Sequence, residues 1–322
     1  MQYIIGSWYR KDELAKRSCI FHTSGAVGSM FSGYLMASVH HLGGRAGLKG
    51  WQWLFVVDGM ISLPIAIAGF FMLPDVPEIT NVWYFSPEER EFAKKRMQLE
   101  GRAQRAPYTK AKVKRIFQSW HIYFLSALYV CFNNAGGSQP AFAQYLKASK
   151  HPKYTITQIN AYPTATSAVA VITTLIYAWT SDSIFHGARW PPIVFGGTVC
   201  IVAYSSLAIW DIPVGWHWAC YILTGMGTGI SGLCMAWAHE ICSGDNEERA
   251  IVVGTMNEAA YFFQAWLPLI FWQQVEAPKY HKGFVLSAFL EASMILLAVA
   301  VRYLWVWEQA GRVRKGANLN AA

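Results

Sequence analysis

The chain is 322 residues long, 54% hydrophobic and only 14% charged, with 27 Lys and Arg against 19 Asp and Glu. A soluble domain of this size is about a quarter charged; here the few charges cluster between long apolar runs, which excludes an ordinary soluble fold. The net charge of +8 lies beside those runs, so it reads as membrane orientation and not as nucleic-acid binding.

A helix needs about 20 apolar residues to cross a bilayer core of about 30 Å. Eight segments qualify, some with polar interruptions: 19–42, 51–73, 119–146, 156–180, 191–210, 216–240, 250–273 and 284–307. No signal peptide is read at the start, where Met1 is followed by Gln-Tyr-Ile-Ile-Gly-Ser-Trp-Tyr-Arg10. Between the second and third spans lies a polar stretch, residues 74–118, holding ten Lys and Arg. Within it Ser86-Pro-Glu-Glu89 is a helix-start signature. The Ser hydroxyl caps the first turn, Pro fits the first helical position, and the second Glu bonds back. A soluble helix is therefore predicted from about Pro87 to Gly101.

With this stretch in the cytoplasm and the spans alternating, twenty Lys and Arg fall inside and seven outside, which predicts a cytoplasmic C-terminus. The charged loop Trp8 to Arg17 leads into span 19–42, and Gly244 to Ala250 leads into span 250–273, six spans later. A repeat of six spans is the plan of parallel-repeat transporters. On that plan the two loops are equivalent, and about three and a half helices precede Met1.

Several stretches resemble the fungal allantoate permease group, the anion:cation symporters of the major facilitator superfamily. They are Gly50-Trp-Gln-Trp-Leu-Phe-Val-Val-Asp-Gly59, Leu73-Pro-Asp-Val-Pro-Glu78, Phe85-Ser-Pro-Glu-Glu-Arg90 and Gly6-Ser-Trp-Tyr-Arg-Lys-Asp-Glu-Leu14. Gln52 departs from the Arg common there. Gly254-Thr-Met-Asn-Glu-Ala-Ala-Tyr-Phe-Phe-Gln-Ala-Trp-Leu-Pro-Leu269, with Ala277-Pro-Lys-Tyr280, is most similar to the pantothenate transporters. The resemblance implies an all-α membrane protein with a major facilitator fold. Its N-terminal bundle is incomplete, with about two complete helices (residues 1–73). A cytoplasmic central loop (74–118), a complete six-helix bundle (119–308) and a cytoplasmic tail (309–322) follow.

Candidate residues lie on the polar faces. In span 250–273, Asn257, Tyr261, Gln264 and Pro268 recur at helical spacing and form one stripe. Such groups are costly in lipid unless they face a bundle interior or a water-filled cavity, so the stripe lines substrate or bonds a neighbouring helix. Glu258, beside it, is a carboxyl placed for proton coupling or for an ion pair. His22 shares a face with Ala26, Ser29 and Gly33 and reads as a packing or a proton-coupling histidine. Span 119–146 contains Asn133, Asn134, Gly136, Gly137, Ser138, Gln139 and Pro140, whose glycines and proline weaken the helix where amides could hold a ligand. Tyr162 follows in the next span. Asp58 is expected to bond a neighbouring helix, and Glu291 to be peripheral. Gly225, Gly227, Gly229 and Gly232 read as helix packing. The resemblance makes Ser181-Asp182 and Arg189 a gate in which Asp and Arg pair in one conformation.

The six Cys show no CxxC and read as buried small hydrophobes, with neither a metal site nor a disulfide frame. No cofactor is expected, and no catalytic motif such as HExxH is present. The expected function is proton-coupled uptake of a small organic anion such as pantothenate by a monomer spanning the plasma membrane several times. Two other readings stand beside it: a truncated chain without transport, and a nutrient-sensing receptor on a transporter fold.

Overall fold

A computed structural model describes residues 2–99, 109–136 and 141–320. Helices α1 (Gln2–Trp8), α2 (Lys11–Val39) and α3 (Gly50–Met72) come first. The polar stretch folds as α4 (Pro87–Leu99) and α5 (Lys110–Gln118). Then follow α6 (Trp120–Ala135), α7 (Ala141–Ala148), α8 (Ile156–Ala161), α9 (Thr164–Ser183), α10 (Trp190–Ile209), α11 (Val214–Leu223), α12 (Gly225–Thr228), α13 (Ser231–Ile241), α14 (Asn246–Phe271) and α15 (His281–Asn320).

Each of the eight expected spans has a helical counterpart. Among the described residues, five runs are long and apolar enough to cross a membrane: α3, α8–α9, α10, α11–α13 and the His281–Gly311 part of α15. The other three depart from that simple pattern for physical reasons. The 119–146 segment divides into α6 and α7 around Gly136, whereas α2 and α14 carry polar residues along their length. The last helix does not stop near residue 307 but runs on to Asn320.

The predicted soluble helix starts where its signature places it. Ser86 N–H donates to Glu89 Oε2 (2.8 Å) and Glu89 N–H to Ser86 Oγ (3.2 Å), both bonds of the capping box. Arg96 of α4 forks onto both carboxylate oxygens of Glu13 at 2.6 Å, fastening the polar stretch to the first turn of α2. In α5, Lys112 reaches Glu247 (2.5 Å) and Asp245 (3.1 Å), and Arg115 pairs with Asp245, so the same stretch is fastened to the α13–α14 turn.

The apolar core sits among α6, α9, α10, α13, α14 and α15, around Leu125, Leu128, Ile193, Ile230, Leu233, Met256 and Met294. A second core gathers Phe142, Tyr221, Trp272, Tyr280 and Phe284 at the other end of the bundle. The glycine series holds this packing together. A Cβ on Gly225 would lie 2.2 Å from Thr166 O, one on Gly229 2.9 Å from Thr173 Oγ1, and one on Gly232 2.7 Å from Cys19 Sγ. These contacts bring α11–α13 against α9 and α2 at backbone distance, the close approach that small residues permit in membrane bundles.

Two expectations change. Asp58 is exposed on α3, a helix without buried residues, and makes no bond to a neighbouring helix among the described residues. Glu291 is not peripheral: α15 turns it into the bundle at 2% exposure, 3.1 Å from where a Cβ on Gly227 would sit.

Candidate functional site

Two adjoining cavities lie between α2, α6, α9, α13 and α14. The larger, about 560 Å³, is lined by His22 of α2, Tyr129 of α6, Met235 of α13, and Asn257, Glu258 and Tyr261 of α14. The smaller, about 410 Å³, shares His22, Gly25, Tyr129 and Tyr261 and adds Ser29, Asn133, Thr166 and Ser231. No Lys or Arg lines either cavity among the described residues.

Their walls are polar where helices meet. His22 Nδ1 lies 3.1 Å from Ser231 Oγ, and Tyr129 Oη lies 3.4 Å from the same hydroxyl, so one Ser joins α2, α6 and α13. Asn133 Nδ2 donates to Gln264 Oε1 at 3.3 Å, linking α6 to α14. Small residues open this space: nothing lies within 4 Å of a Cβ on Gly25 or Gly254, both of which line the larger cavity.

The sequence-predicted residues divide into three groups. His22, Asn133, Asn257, Glu258 and Tyr261 meet at the cavities. His22 also makes a helix-packing contact, to Ser231 of α13. Glu258 is exposed at the wall and forms no ion pair among the described residues, so the ion-pair alternative for it is not met there. Gln264 stands one turn further along, bonded to Asn133. Asn134 and Tyr162 lie away from the cavity walls. The Asn134 amide is buried and bonds Val130 O (2.9 Å) and Ala260 O (3.2 Å), which occupies its donors in helix packing. Tyr162 packs edge-on against Trp218 and Tyr154, with ring centroids 5.4 and 5.9 Å apart. Gln139 lies outside the described residues.

Asp182 and Arg189 do pair, across a turn in which Gly187 adopts φ +87°. Arg189 is 3% exposed and also donates to Ser181 Oγ (2.9 Å) and, through Nε, to Glu240 Oε1 (3.0 Å). The pair is thus a triad. Glu240 has no sequence signal, because it comes from the far end of α13, 51 positions away.

Membrane-length helices around a shared polar cavity define a multi-pass, all-helical membrane protein. The profile of the Major Facilitator Superfamily matches residues 1–268, and the chain belongs to that superfamily. It is 37% identical over 293 residues to the pantothenate transporter liz1 of Schizosaccharomyces pombe, covering 88% of this chain and 55% of that protein. To the MFS transporter PfmaC of Pestalotiopsis fici it is 41% identical over 258 residues, covering 79% and 48%. To the pantothenate transporter FEN2 of Saccharomyces cerevisiae it is 32% identical over 321 residues, covering 96% and 62%. The chain therefore spans between 48% and 62% of the length of these relatives.

Proposed function

We propose that the chain is the greater part of a plasma-membrane symporter of the allantoate permease group that carries a small organic anion, of the pantothenate class, together with protons. The observation that carries this reading is the polar cavity in which Asn257, Glu258 and Tyr261 of α14 face His22 of α2. The names of liz1 and FEN2 support the vitamin. Without Lys or Arg at the walls, the anion is held by the Asn133 and Asn257 amides, the Tyr129 and Tyr261 hydroxyls and His22. A carboxylate entering a negative cell moves against about 2.3 kcal/mol per charge per 100 mV. One co-transported proton cancels that electrical cost, and Glu258 and His22 are the titratable groups at the cavity that could carry it. Asp182, Arg189 and Glu240 act as a gate whose ion pairs hold one conformation. In this reading residues 1–73 belong to the first bundle, 74–118 are cytoplasmic, and 119–308 are the second bundle.

Uptake of labelled pantothenate tests the proposal, with the protein expressed from its full coding sequence in yeast lacking its own pantothenate uptake. Uptake should rise as external pH falls. Asn257→Ala should raise the half-saturating concentration about tenfold, since one lost hydrogen bond to a charged group is worth about 1.5 kcal/mol or more. No uptake above the empty vector, with the protein at the cell surface, would reject pantothenate as substrate. Competition by biotin or nicotinate in the same assay ranks the other acids.

A further inference from the structure

Away from the cavities, a second cluster forms where α6, α13, α14 and α15 come together beside α5. His121, in the first turn of α6, is buried at 6% exposure. Its Nδ1 lies 2.6 Å from Glu248 Oε1 of α14, and its Nε2 lies 3.0 Å from Glu308 Oε2 of α15. Glu308 Oε2 also accepts from Trp120 Nε1 at 3.1 Å, which fixes that carboxylate. Cys242, just past α13, is 2% exposed. Its sulfur, a His121 ring nitrogen and a Glu248 oxygen all lie within 4.8 Å of one another.

A neutral imidazole carries one proton but here faces two carboxylates, so its unprotonated nitrogen meets an anion unless it takes a second proton or a metal cation. If Nε2–H donates to Glu308, the Nδ1 lone pair points at Glu248 and the Cys242 sulfur. A carboxylate on one imidazole nitrogen with the other free to ligate is the arrangement that orients metal-binding histidines. Sulfur, nitrogen and oxygen donors together suit zinc, with bonds of about 2.3, 2.0 and 2.1 Å, and leave a fourth position for water. The ligands lie on the wall of a cavity of about 560 Å³ that also touches Arg115, Asp245 and Glu308, giving an ion a path and a water a place.

We propose that His121, Cys242 and Glu248 bind a zinc-class divalent ion, with Glu308 orienting the imidazole from outside the coordination sphere. The ion would staple the ends of α6, α13 and α14. The site is independent of the transport reading, and its test requires no substrate.

The purified protein, stripped of metal by a chelator, is titrated with cobalt(II) and then with zinc in competition with a chromogenic chelator. One equivalent should bind. Cobalt should give a thiolate-to-metal absorption band, and zinc should raise the thermal midpoint. Cys242→Ser should abolish the band, and Glu308→Gln should keep it while weakening affinity about 10- to 100-fold. Cys131→Ser, at a cysteine elsewhere on α6, should change neither. Absence of a cobalt–thiolate band in the unsubstituted protein overturns the site without recourse to any variant. So does a band that survives Cys242→Ser. Zinc that leaves the thermal midpoint unmoved in the unsubstituted protein, a response expected for histidinium between two carboxylates alone, overturns it too.

Discussion

Single residues set the closest contacts in this bundle, and their effects are separable. An added Cβ at Gly225 meets backbone, Thr166 O at 2.2 Å, so no side-chain rotation relieves it. Gly225→Ala should cost about 1–3 kcal/mol of stability, as overpacking does. Gly215→Ala, with nothing within 4 Å, should change it by less than about 0.5 kcal/mol. Thermal unfolding in detergent compares the two. Asp245 combines two roles: it caps α14 by accepting from the Glu247 and Glu248 amides (3.1 and 3.2 Å), and it pairs with Lys112 and Arg115. Burial pushes its carboxyl up, but the Glu248 amide and Lys112 outweigh burial and hold it below the usual range. A depressed carboxylate stabilises the fold above its unfolded value, about 3.9, and this contribution is lost as pH falls through the lower folded value. Asp245→Ala should cost about 1–2 kcal/mol near neutral pH, and the difference from the unsubstituted protein should shrink in strong acid.

At the scale of elements, local signals were legible and distant ones were not. The capping box of α4 needs only residues 86–89, and both bonds form. The glycines of α11–α13 mark packing because they lie within an apolar span. Glu240 and the His121 cluster come from helices far apart in the chain, and no spacing rule reaches across 51 or 127 positions. Asn134 and Asn133 are adjacent, yet one serves packing and the other a cavity, because successive residues of a helix point about 100° apart. The similarity between loops 8–17 and 244–250 does gain a physical meaning. Each presents acidic residues to the central stretch, Glu13 to Arg96 and Asp245 with Glu247 to Lys112 and Arg115. At the Asp182–Arg189–Glu240 triad, Arg189→Ala should cost about 3 kcal/mol, because it leaves two partly buried carboxylates without their partner. Arg189→Lys should recover only part of this, since an ammonium cannot fork between Asp182 and Glu240. Unfolding in detergent reads both, and an equal stability of all three proteins would show the triad to be solvated.

For the whole molecule, the charge asymmetry predicts which side of the membrane each loop faces. Lys95→Cys in α4 should react with an impermeant maleimide only from the cytosolic side, and Lys150→Cys only from outside, in a Cys-free background. Labelling of position 150 from the cytosol alone would invert the topology. The most direct test of the account concerns the cavity that joins α2 to α14. Glu258→Gln keeps the shape of the side chain and removes its charge. Two assays in the same vesicles separate substrate movement from proton coupling: exchange of labelled for unlabelled pantothenate, and accumulation driven by an imposed proton gradient. Glu258→Gln should retain exchange and lose gradient-driven accumulation by at least tenfold. Accumulation that persists with an unchanged pH profile would contradict the assignment of Glu258 as the coupling group.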